Sequence, residues 1–217
     1  MFRWLGNALN SSIGRKLVMA LTGLMLVGFL LIHLVGNMKV LPGFGSPEKF
    51  DSYVHFLWSF GGFLVVAEIA LGALFLCHIY LALRLTMENI QARKQRYTVR
   101  NDRGAKTFGS ASMFATGSLM LLFLIKHLID FRFNADFHEA PADTVAAILG
   151  SPLHGTIYIL AAVVAAVHLS HGFQSAFQSL GINHPRWTPL IKLVGLALSA
   201  ALGLGFSSLA LYFLFFK

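Results

Sequence analysis

The sequence predicts an all-α membrane protein with five transmembrane helices and its N-terminus in the cytoplasm. Three observations carry that prediction. First, 56% of the 217 residues are hydrophobic and 12% are charged, with a mean hydropathy of +0.69, whereas a soluble domain carries about 25% charge. Second, the apolar residues gather into five stretches, each long enough to cross roughly 30 Å of hydrocarbon at about 1.5 Å per residue. Third, the connections between the stretches alternate between rich and poor in Lys and Arg, the pattern of a chain threaded through a bilayer. The net charge of +8 therefore reflects membrane topology and not a nucleic-acid partner. Residues 1–217 read as one integral-membrane domain with no soluble domain.

The first span covers residues 17–38. It exceeds the apolar core of a signal peptide and ends at Lys39 without a small-residue cleavage pattern, so it is a span. Ahead of it, "FRWLGNALNSS" (residues 2–12) reads as a short interfacial helix anchored by Phe2, Trp4 and Leu5. The break "LPGFGSPEKFD" leads to the second span, 59–83. The polar run "RLTMENIQARKQRYTVRNDRGAK" leads to the third, 108–130. "RFNADFHEAPAD" precedes the fourth, 152–177, and "GINHPRWTP" precedes the fifth, 190–215.

Twelve of the seventeen basic residues fall on one side: Arg3, Arg15, Lys16, Arg84, Arg93, Lys94, Arg96, Arg100, Arg103, Lys106, Arg186 and Lys192. Lys39, Lys49, Lys126, Arg132 and Lys217 fall on the other, with most of the acidic residues. The richer side is the cytoplasmic one, which puts the C-terminus outside. The lone cysteine, Cys77, permits neither an internal disulfide nor a Cys-x-x-Cys site, and reads as a small core residue.

Of nine histidines, His55, His138, His154 and His184 fall in or near connections. His33, His78, His127, His168 and His171 fall inside spans, where ionisable side chains are expensive and functional by default. Depth sorts them. His33 lies 17 residues past Lys16 and His127 lies 19 past Phe108, on spans that start from the cytoplasm. His78 lies 19 past Ser59 and His168 lies 17 past Ser151, on spans that start outside. Four helices thus supply two histidine pairs, one toward the outer surface and one toward the inner.

Two imidazoles from facing helices suit a b-type haem, whose iron takes an axial ligand on each face and, once both are histidine, carries electrons without binding oxygen. Zinc needs three or four ligands at one level. A di-iron bundle needs several inward Glu residues with Glu-x-x-His motifs, and Glu68 is the one acid deep in a span. The expected architecture is a four-helix haem-binding bundle plus a fifth helix. Small residues at Gly23, Gly28, Gly61, Gly62 and Gly72, and in "FGSASMFATGS", allow close helix approach and leave room for a flat macrocycle.

Four segments carry a resemblance: "GLMLVGFLLIHLVGN", "LCHIYLALR", "IKHLIDF" and "HLSHGFQSAFQSLG". In order, spacing and topology they resemble the single-chain, five-helix, dihaem cytochrome b anchor subunits of succinate dehydrogenases and fumarate reductases. The resemblance spans nearly the whole chain. It implies His33 with His127 at an outer haem and His78 with His168 at an inner haem, the same pairs that depth gives. In the fourth span the family ligand is followed by serine two residues on and glycine four on, which Ser170 and Gly172 match if the ligand is His168. Taking His171 instead would shift the ligand about 4.5 Å along the helix and about 60° around it. His171 is then a residue beside the haem or at a helix interface. Some fumarate reductases carry a glutamate two residues before this ligand; Ala166 stands there, which favours succinate oxidation.

The resemblance further implies a flavoprotein and an iron–sulfur partner on the cytoplasmic side of a bacterial inner membrane, with succinate chemistry on the flavoprotein. Electrons would pass through the two haems to a quinone, menaquinone, near the outer surface. Glu68 is the candidate quinone-site residue, with a buried acid bonded to a neighbouring helix as its plain alternative. Arg84 is a candidate propionate contact or a membrane-edge anchor. Lys126 and Asp130, which flank His127, are explained by snorkelling and a helix cap. Other readings are a quinol:fumarate reductase, the cytochrome b of another respiratory dehydrogenase, and a haem-free transporter or anchor using its histidines for protons or packing.

Overall fold

The computed structural model describes residue 8 and residues 11–91 and 108–216. The expected interfacial helix, apart from Ala8, Ser11 and Ser12, lies outside the described residues. So do Arg3, Arg93, Lys94, Arg96, Arg100, Arg103, Lys106 and Lys217. The elements are α1 (Ser12–Met38), α2 (Pro47–Trp58), α3 (Gly62–Gln91), α4 (Phe108–His127), a π-helical turn (Leu128–Arg132), α5 (Ala135–Glu139), α6 (Pro141–Gly150), α7 (Pro152–Ser179) and α8 (Thr188–Phe215), with no strand among the described residues. Five of these helices are long and apolar enough to cross a membrane: α1, α3, α4 with its π turn, α7 and α8. They are the five expected spans.

Two boundaries differ from expectation for local reasons. α1 begins at Ser12 and not at residue 17, because the Ser11 hydroxyl accepts the Gly14 N–H at 3.0 Å and caps the helix. α3 runs on to Gln91, past its apolar run. Glu88 accepts from Arg84 one turn earlier at 2.9 Å and from Arg15 of α1 at 3.0 Å. That three-residue ionic link also puts the start of α1 and the end of α3 at the same end of the bundle, the basic end.

The opposite end carries three helices where the sequence suggested only connections: α2, the short α5 and α6. α2 starts at a Ser-Pro-Glu signal: Ser46 accepts the Lys49 N–H at 3.3 Å, Pro47 occupies the first turn and Glu48 complements the helix dipole. The Ser46 hydroxyl also holds the Glu48 carboxyl below its ordinary range. α6 also opens on a proline, Pro141, but its N-cap, Ala140, has no side chain able to cap it. Asp51 of α2 does so instead, accepting the Ala142 N–H at 2.8 Å. Val40, Leu41, Phe50, Val54, Val145 and Leu149 then bury against the end of α8 at Leu209, Ala210 and Phe213. This cap is the main buried core cluster. His55 and His138 accordingly sit on helices, exposed, with their rings 5.1 and 5.4 Å from Trp58.

Along the bundle, α7 is central. It packs most extensively against α8, and also against α1 and α4; α3 packs on α1. Small residues set the α7–α8 approach. A Cβ added at Gly203 would stand 2.7 Å from Ala166 Cβ, and one at Gly195 would stand 2.8 Å from the Phe173 ring. Ala166 therefore faces the fifth span. α3 and α4 are not packed along one another. Their link is Arg132, which donates from Nε and Nη2 to the Glu68 carboxylate at 2.9 to 3.2 Å.

Candidate functional site

Four of the five span histidines, His33, His78, His127 and His168, sit at two levels. Near the cap end, His33 of α1 and His127 of α4 face one another with ring centroids 5.8 Å apart and planes at 88°. Two imidazoles on opposite sides of one metal ion stand about 6 Å apart, since each metal–nitrogen bond is about 2 Å. Aromatic walls close around the pair. Phe29 stacks on His33 at 5.2 Å and Phe206 lies at 5.9 Å, while Phe131 and Phe123 lie 5.3 and 5.8 Å from His127. His127 Nδ1 is buried and has no hydrogen-bond partner. Asn37 approaches both His33 ring nitrogens at 3.4 to 3.5 Å, too long for strong bonds, and its firm bond is to the His33 carbonyl at 2.8 Å.

Just beyond His127 the helix loosens into its π turn, closed by Phe133 N–H donating to the Leu128 carbonyl at 2.9 Å. Such turns widen a helix and redirect side chains, and they recur at functional sites. Here the turn carries Asp130, which binds Lys126 at 2.6 Å and accepts from the Tyr158 hydroxyl of α7 at 2.7 Å. Asp130 and Lys126 thus form a network that ties the third span to the fourth. The Asp130 carboxylate bonds two side chains, Lys126 and Tyr158, where the sequence suggested a helix cap.

The second level lies toward the basic end. His78 of α3 points at Thr22 of α1, with Nδ1 and Oγ1 3.1 Å apart. His168 of α7 points at Thr116 of α4 in the same way, also at 3.1 Å. Each threonine is followed by a glycine against which the imidazole rests. A Cβ would stand 3.3 Å from His78 Cε1 at Gly23, and 3.4 Å from His168 Cε1 at Gly117. His171, one turn further along α7, is half-buried, and its Nδ1 has no partner.

The two levels are built from one repeat. α1 contains Thr22-Gly23 and then His33, and α4 contains Thr116-Gly117 and then His127, with eleven residues from threonine to histidine in each. Eleven residues are close to three turns, so threonine and histidine share a helix face about 16 Å apart. Each of these helices offers a threonine and glycine toward the basic end and a histidine toward the cap end. The equal spacing could be read from the sequence; the contact with His78 and His168 could not.

Glu68 is not a buried acid. It is about a third exposed, pairs with Arg132 and lines a cleft of about 320 Å³ with Trp58, Leu64, Phe137 and His138. Arg84 is half-exposed and bound to Glu88. Cys77 is half-buried and free. No protein-family model, no curated protein and no solved structure matches this chain, so its own side chains carry the argument.

Proposed function

We propose that the chain is the membrane-anchor cytochrome b subunit of a succinate:quinone oxidoreductase in a bacterial inner membrane. It would pass electrons between a cytoplasmic iron–sulfur subunit and a membrane quinone. The observation that supports the proposal is that His33 and His127 face one another near the cap end, while His78 and His168 each rest against a Thr-Gly step of a neighbouring helix toward the basic end. His33 with His127 would hold an outer haem, and His78 with His168 an inner one.

The residues at both levels suit that group. The donors are neutral imidazole nitrogens, with Phe29, Phe123, Phe131 and Phe206 as apolar walls at the outer level. Glycine rather than a bulkier residue lies under each inner imidazole. Bound haems would supply one-electron carriers. The chain itself orients the imidazoles, excludes water from the outer pair with the α2–α6 cap, and presents the Glu68–Arg132 cleft beside the cap. In that cleft Arg132 and His138 would hold a quinone oxygen and Glu68 would exchange its proton. The basic end would seat the iron–sulfur subunit, with the flavoprotein beyond it.

The test is a reduced-minus-oxidised spectrum of purified membranes with succinate as reductant. Two b-type haems per chain are expected. Alanine at His33 or His127 should remove one of them, alanine at His78 or His168 the other, and His171→Ala should remove neither. A wild-type spectrum with no succinate-reducible b haem would refute the assignment.

A further inference from the structure

We propose that Thr22 and Thr116 are the positioning residues of the inner histidine pair, fixing the tautomer and ring angle with which His78 and His168 meet a metal. The inference rests on the haem assignment above and deepens it. It starts from the proton of each hydroxyl. A threonine hydroxyl has one proton to donate and two lone pairs to accept with. In Thr22 the proton goes to the Met19 carbonyl of its own helix at 3.0 Å. In Thr116 it goes to the carbonyls of Ser112 and Met113 at 2.9 and 3.2 Å. With the proton engaged, each oxygen faces its histidine Nδ1 at 3.1 Å as an acceptor.

With each hydroxyl proton on its own helix, Nδ1 carries the hydrogen in both histidines, which leaves Nε2 with the free lone pair a metal needs. The reverse tautomer would require each hydroxyl to turn away from its helix carbonyl and donate to Nδ1. Gly23 and Gly117 complete the device. Their missing Cβ atoms let the two rings lie 3.3 and 3.4 Å from where side chains would begin, closer than a side chain there would comfortably allow. The outer pair lacks this arrangement: His127 Nδ1 has no partner and His33 has only the long Asn37 approaches. The repeated Thr-Gly therefore serves the inner level alone. Donation from Nδ1–H to an oxygen also makes an imidazole a stronger electron donor, one of the levers by which a protein lowers the potential of a ligated iron.

The full-length chain in its complex is purified with Thr22→Val, Thr22→Ser, Thr116→Val and Thr116→Ser. Each form is titrated electrochemically, and low-temperature EPR records the ferric haem signals. Both valine variants should raise the midpoint of one haem, the one that His78→Ala removes. They should change the g-values of that haem and leave the other haem unmoved, while both serine variants should resemble wild type. Loss of that haem with valine and its retention with serine supports the same conclusion. Valine variants with unaltered midpoint and line shape, a shift in the His33–His127 haem, or serine variants no better than valine would overturn it. Wild type without any b haem overturns the haem assignment and this inference together. Two normal haems with silent valine variants overturn this inference alone.

Discussion

A histidine inside a hydrocarbon layer is tolerable when its nitrogens have something to bind. His78 and His168 bind threonine oxygens, His33 approaches Asn37, and His127 has a nitrogen that nothing in the protein serves. The residues around the Glu68 carboxylate invite a different question, because its pairing with Arg132 can be read as an anchor between two helices. The protein leaves the pair partly open, with 37% of the Glu68 and 47% of the Arg132 side chain uncovered. Glu68→Gln keeps an acceptor for Arg132 but cannot exchange a proton. We expect Glu68→Gln to retain both haems and full succinate reduction of them, and to reduce a soluble quinone analogue at least tenfold more slowly. Unchanged quinone reduction would leave the pair with a structural role only.

Elements differ in how openly the sequence announces them. A span is declared by twenty apolar residues whatever it touches, and all five spans were legible. α2 and α6 have twelve and ten residues, and their proline starts look the same as loop punctuation. What makes them helices is burial of one face against each other and against α8, which no local window contains. The inner threonines were hidden for the same reason. Thr22 and Thr116 sit in plain view at equal distance from a histidine, but their use depends on which helices face which. The cap supplies its own test. Because Ala140 cannot cap α6, Asp51 supplies both the acceptor and the negative charge at that helix N-terminus. Asp51→Ala should cost about 1 kcal/mol, seen as earlier thermal loss of the folded chain in detergent, whereas Ser52→Ala on the exposed face should be neutral. Equal melting of the two variants would mean that α6 stands without its cap.

At the scale of the whole molecule, the two ends of the bundle have opposite characters, and that asymmetry gives the chain its direction. The basic end gathers Arg15, Lys16, Arg84, Arg186 and Lys192, and Glu88 is held there between two arginines. The cap end carries Glu48, Asp51, Asp130, Asp136, Glu139 and Asp143. Lys and Arg near span ends decide orientation and acids count for little, so the proposed function has the basic end facing the cytoplasm. An odd number of spans then puts the two chain ends on opposite sides. The single cysteine makes this measurable. In a Cys77→Ala background, Ser52→Cys on α2 and Arg186→Cys ahead of α8 are both exposed positions, at opposite ends of the bundle. A membrane-impermeant thiol reagent applied to cells with a permeable outer membrane should label the cysteine at 52 directly. It should label the cysteine at 186 only after the inner membrane is broken. The reverse pattern would invert the protein and put the basic end, with the inner histidine pair, on the outside, where a cytoplasmic iron–sulfur partner could not reach it. Labelling of both from one side would require an even number of crossings between α2 and α8. That would remove one of the three spans α3, α4 and α7, and with it one of the four histidine-bearing helices.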